Sequence, residues 1–216
     1  MRIARRPWAA LGKVFLGDWH PVLRDPLDLF RLSFLVGALV FALVGDGHGA
    51  AQLVLTTVAV FVARMVDVPR LFDWGFCAAM AFNGWGDALR LFENYWWYDN
   101  VVHINLPCFL SVLLYIALSR LEVVRDPATQ AKRRSWVIGM ALITFCIAVT
   151  MASFYEIYEW VVDHWFDQHL AISETDTITD LSDGFLGAAV GGLLLAAWAT
   201  GELPTRRAQR KWTEVA

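Results

Sequence analysis

The chain has 216 residues, of which 57% are hydrophobic, 14% aromatic and only 18% charged, with a formal net charge of −3. Mean hydropathy is +0.47. That composition excludes a disordered or collagen-like chain, and a water-soluble fold of it would expose large apolar surfaces, so the class is integral membrane protein.

About 20 apolar helical residues cross a bilayer core. Six such spans are predicted, at 29–45, 50–66, 71–90, 100–120, 136–165 and 177–200. None alternates as barrel strands do. The expectation is an all-α integral membrane protein, a six-transmembrane-helix bundle with both termini cytoplasmic. It forms one membrane domain over 1–216: a cytoplasmic interfacial segment at 1–28, the bundle at 29–200 and a basic cytoplasmic tail at 201–216. The N-terminal stretch is basic, but its apolar run is broken and no A-x-A site follows, so it reads as an amphipathic surface segment and not a signal peptide.

Orientation follows from lysine and arginine. With the N-terminus inside, 17 of the 18 basic residues fall on the cytoplasmic side, and Arg90 is the exception. This bias, with tryptophans grouped at both expected interfaces, points to a multi-pass protein of a bacterial inner membrane. The basic clusters read as topology signals and contacts to anionic lipid, with no support for nucleic-acid binding. Cys77, Cys108 and Cys146 lie in apolar runs and are expected to be buried hydrophobes. Asp73 is expected to pair with Arg70, and Asp87 with Arg90.

The outer half holds 12 acidic residues against that one arginine, and four of the five histidines. Asp99 and His103 are spaced i, i+4 at the start of span four. Glu156, Glu159 and Asp163 are spaced i, i+3, i+7 near the end of span five. Asp176, Asp180 and Asp183 are spaced i, i+4, i+7 at the start of span six. Each set shares one helix face, and all lie at one membrane level. Asp176 with Thr177 is expected to cap the last helix. Packed together, these carboxylates need protonation, water or a cation to compensate their repulsion. Asp99, His103, Glu156, Glu159, Asp180 and Asp183 are therefore candidate metal ligands, with Glu156 and Glu159 as candidate catalytic bases. One imidazole among carboxylates suits a divalent ion such as Zn, Mn or Fe better than Ca or Mg. The competing reading is a solvated acidic rim, because span five is longer than a bilayer core and its end projects toward water. Within the rim reading, the acids favour helix N-termini or bond nearby tyrosines and tryptophans.

Tyr98-Asp99 with His103, Glu156-x-x-Glu159-Trp160, and Asp176-Thr177-x-x-Asp180 followed by Gly187-Ala188 together resemble the YjdF-like family of bacterial inner-membrane proteins. The resemblance covers spans four to six. It implies a multi-helix membrane protein carrying an acidic motif set, and no substrate. The family pattern has a further Asp three residues before the Asp-Thr pair; Ser173 stands there in this chain.

Three classes of function fit. The first is a metal-dependent enzyme acting on a lipid or lipid-linked substrate from the outer leaflet, with Glu156 or Glu159 as base. The second is a structural or assembly subunit bound to a membrane protein partner. The third is a cation or proton transporter, which needs a polar path to the inner side. There the sequence offers only Thr56, Thr57, Ser111 and Thr144. Span five, the longest, is expected to be the central helix.

Overall fold

The structure, a computed structural model, describes residues 25–130, 133–166 and 173–203, together with residues 12, 14, 15 and 23. The described residues form eight helices: α1 Pro26–Leu43, α2 Gly47–Val66, α3 Arg70–Ala88, α4 Leu91–Asn94, α5 Tyr98–Arg120, α6 Pro127–Gln130, α7 Arg134–Phe166 and α8 Glu174–Ala199. Five of them, α1, α2, α5, α7 and α8, are long and apolar enough to cross a membrane. The expected third span coincides with α3, a helix of 19 residues with Arg70 and Asp73 in its first turn and Asp87 near its end, which is not among those five. The expected 1–28 segment and 201–216 tail lie mostly outside the described residues.

Local chemistry sets the helix ends. Asp25 accepts from the amides of Leu27 and Asp28 to cap α1, with Pro26 in the first turn. Asp46 caps α2 through Gly49. Ser173, not Asp176, caps α8, accepting from the Asp176 amide at 3.1 Å. The hydroxyl stands just outside the helix, where the unsatisfied amides point; Asp176 is already inside it.

The helices form two neighbouring groups. Consecutive helices α1, α2 and α3 pack on one another, and α3 leans on α5. Helix α5 also packs on α7 and α8, which pack on each other. The central helix is thus α5: half of its most apolar stretch is buried, against 22% for α7. The expectation for span five fails because α7 packs chiefly on α5 and α8, whereas α5 also meets α3. At the α5–α8 contact the backbones nearly touch. A side chain at Gly187 would strike the Ile104 carbonyl, and one at Gly191 the Cys108 carbonyl. Small residues drive helix association where lipid replaces water, because close approach gains dispersion contact.

The buried core holds charge that the sequence reading placed in cytoplasmic loops. Arg31 donates to Asp28 at 2.8 Å and pairs with Asp73 across the α1–α3 interface. Arg64 meets the same Asp28 at 3.1 Å. Arg70 instead faces Asp25 at 3.4 Å. The expected Asp73–Arg70 pair is therefore replaced: Asp73, one turn inside α3, points inward toward α1, whereas Arg70 is at the exposed helix start. At the same end, Arg120 donates to the carbonyls of Val14 and Asp67, both at 3.0 Å. Cys77 and Cys108 are buried as expected, but Cys146, on α7, is exposed.

Candidate metal centre

Three helices present the site. Tyr98–Arg120 brings Asp99 and His103 in its first two turns. The tail of Arg134–Phe166 brings Glu156 and Glu159, and the head of Glu174–Ala199 brings Asp180. The glycine contacts between α5 and α8, at Ile104 next to His103 and at Cys108 further along, hold two of these three helices at backbone distance.

His103 is the hub. Its Nε2 lies 3.3 Å from Asp99 Oδ1, and its Nδ1 lies 3.6 Å from Glu156 Oε1. Two overlapping groups have ligand atoms within 4.8 Å of one another: Asp99, His103 and Asp180, and His103, Glu156 and Glu159. His103, Glu156 and Asp180 are buried, with 5%, 9% and 3% of their surface exposed. Asp99 and Glu159 are half-buried. The sixth candidate, Asp183, stands apart from both groups and accepts from Asn100 Nδ2 at 2.6 Å. It ties α8 to α5 beside the cluster.

Side chains that sequence reasoning did not select complete the surroundings. Tyr155 packs edge-on against the His103 ring, with centroids 5.5 Å apart, and its phenol bonds Glu159 one turn later. Thr177 bonds Glu156. Pro107 lies inside α5 four residues after His103, so the His103 carbonyl has no helical amide to accept from. Tyr155 carries no signal within its apolar run; the proline four residues past a histidine does.

Other expectations resolve differently. Asp87 faces His48 at 3.2 Å, not Arg90, because the two lie on facing sides of α2 and α3. Tyr98 donates to the Phe82 carbonyl and not to a glutamate. His164 stacks on Trp160 with centroids 4.9 Å apart. His169 and Asp167 lie outside the described residues, as does the side chain of Asp163.

The charge balance is lopsided. Asp99, Glu156, Glu159 and Asp180 surround one imidazole, which carries at most a single positive charge. Glu156 Oε1 is buried and has no hydrogen-bond partner among the described residues, since 3.6 Å to His103 exceeds hydrogen-bond range. An unmatched buried carboxylate oxygen is costly. The donor set of one nitrogen and several carboxylate oxygens fits a divalent transition ion. Either nitrogen of His103 has a carboxylate beside it, Asp99 by Nε2 and Glu156 by Nδ1, and outer carboxylates of this kind orient ligating imidazoles in metal sites.

A family model described as "Predicted membrane protein (DUF2238)" matches residues 31–201. No curated protein and no solved structure matches the chain.

Proposed function

The chain belongs to the DUF2238 family of predicted membrane proteins, and on that premise we propose that it is a multi-pass protein with a divalent metal site at the outer membrane face. In this reading α3 is a further span, giving six, both termini are cytoplasmic, and the membrane is a bacterial inner membrane. The charge bias supports the orientation, and the YjdF-like motifs lie within the matched residues. The ion is held by Asp99, His103 Nε2 and Asp180, while the Glu156 carboxylate, 3.6 Å from Nδ1, adds negative charge that a cation would balance. The observation that carries this reading is Glu156 Oε1, buried and without a hydrogen bond beside the imidazole.

The same site has the parts of a hydrolytic centre. A bound divalent ion supplies Lewis acidity and lowers the pKa of water. Glu159, held by Tyr155, accepts the water proton. The substrate is a lipid or lipid-linked molecule reaching the site from the outer leaflet. Helix α7, at 33 residues, is about 50 Å long at 1.5 Å per residue, against a hydrocarbon core of about 30 Å. That length, with Trp97 and Trp160 both exposed, supports a position of Glu156 and Glu159 near headgroup level in this reading.

Elemental analysis of the detergent-purified full chain tests the reading. The expected result is about one equivalent of Zn, Mn or Fe, lost in Asp180→Asn and in His103→Ala. A chain with no metal after incubation with each ion, and no change in melting temperature on adding it, overturns it.

A further inference from the structure

An ion on the Nε2 side of His103 leaves the other side of the ring without a partner. There Glu156 Oε1 stands 3.6 Å from Nδ1, and the glutamate side chain is only 8% exposed. Thr177 bonds the same carboxylate, yet Oε1 itself makes no hydrogen bond among the described residues. A buried carboxylate oxygen facing a ring nitrogen from beyond hydrogen-bond range needs a partner between them.

Geometry narrows that partner. Two ligands of one tetrahedral divalent ion, each at about 2.0–2.2 Å from it, stand about 3.3–3.6 Å apart. Nε2 to Asp99 Oδ1 is 3.3 Å, and Nδ1 to Glu156 Oε1 is 3.6 Å. Both separations match edges of such a tetrahedron. Each belongs to its own group of three ligand atoms, Asp99 with His103 and Asp180, and His103 with Glu156 and Glu159. The two groups share His103 and no other residue. The nitrogens of an imidazole direct their bonds away from each other, so one ion does not touch both. Charge points the same way. A single dication leaves half the charge of four ionised carboxylates uncompensated.

On the metal reading above, we propose that the centre takes two divalent transition ions, one on each nitrogen of His103, with the ring as a bridging imidazolate. The first ion takes Nε2, Asp99 and Asp180. The second takes Nδ1, Glu156 and Glu159. A neutral imidazole offers one nitrogen lone pair and one N–H. When the second ion binds, the N–H bond breaks, its electron pair forms the new nitrogen–metal bond, and the proton leaves to water. No oxidation state changes. Expelling that proton makes the second seat the weaker one, so a chain purified without added metal keeps one ion and fills the second seat from excess. Glu159, once a ligand, is no longer free to take a proton from water. The second ion therefore regulates the hydrolytic centre, silencing it when metal is abundant.

Copper(II) is the probe, because it binds nitrogen and oxygen sites most tightly among these ions and carries one unpaired electron. The full chain in detergent is stripped with chelator, titrated with copper(II), freed of excess by gel filtration, and followed by elemental analysis and low-temperature electron paramagnetic resonance. Wild type is expected to reach two equivalents. Its signal should grow to the first equivalent and then fall below half that height, because an imidazolate bridge pairs the two spins. Glu156→Gln and Glu159→Gln should stop at one equivalent with the full signal. The wild-type count and signal decide even where a variant does not melt cooperatively. Uptake that ends at one equivalent in wild type overturns the second seat and leaves the single-ion reading standing. No uptake overturns both. Two equivalents with twice the signal overturn the bridge, and a second equivalent retained by folded Glu156→Gln and Glu159→Gln lies elsewhere and overturns the assignment.

Discussion

Arg31 on α1 is paired with Asp73 on α3, and the same guanidinium donates to Asp28 on its own helix. Asp28 also serves Arg64 on α2, so one carboxylate links two arginines from two helices. Breaking a buried pair leaves a charge without its counter-ion, at a cost of about 3–5 kcal/mol. Asp28→Asn is therefore expected to destabilise by that amount, and more than Asp73→Asn, since Asp28 faces two cations. Thermal unfolding in detergent measures both. Equal melting temperatures for the two variants would mean that Asp28 is not the shared anchor.

The acidic site makes a prediction whose sign separates a cation from a bare cluster. Glu159→Gln keeps shape and removes a charge. With an ion bound, the variant loses an anion beside it and should melt lower than wild type, a difference that chelator abolishes. Without an ion, the change relieves repulsion among Glu156, Asp99 and Asp180 and should raise stability regardless of chelator. Melting curves with and without chelator decide, and a stabilised, chelator-indifferent variant removes the metal reading.

Gly187 is where α8 meets the α5 backbone at Ile104. Overpacking a tight contact costs about 1–3 kcal/mol, and Gly187→Leu should cost at least that, because a carbonyl gives way less readily than a side chain. Gly139 on α7 has nothing within 4 Å of an added Cβ, so Gly139→Leu should be close to neutral. Comparable losses in the two would contradict the packing account.

Topology is tested by reporter fusions. Fusions at 98 and 170 should be active outside, and one at 130 inside. An inside signal at 170 would reverse the placement of the acidic site.

The helices were legible because apolar length is a direct demand of the bilayer: each predicted span overlaps one of the long helices, with ends displaced by up to three residues. The i, i+4 spacing of Asp99 with His103, and the Glu156–Glu159 pair, were legible for the same reason, since helix periodicity fixes a face. What periodicity does not fix is which faces meet. That is why α7 was mistaken for the central helix and Asp183 was grouped with residues it does not join. The Arg31–Asp73 pair was invisible because the residues are 42 positions apart and both lie near helix ends, where a charge ordinarily signals a loop. Tyr155 looks like one more apolar-run aromatic until its phenol is seen against Glu159.

The ligand candidates are carried by the last three long helices of the chain, α5, α7 and α8. During synthesis Asp99 and His103 leave the ribosome well before Asp180, and the His103–Asp180 neighbourhood has no existence until the final helix has docked against its glycines. An ion bound in this centre therefore enters after translation of the bundle is complete, and from the side on which the carboxylates lie. If the centre holds an ion, this timing makes its acquisition a maturation step of the membrane-inserted protein, separate from insertion. A chain truncated before α8 should be inserted yet unable to load.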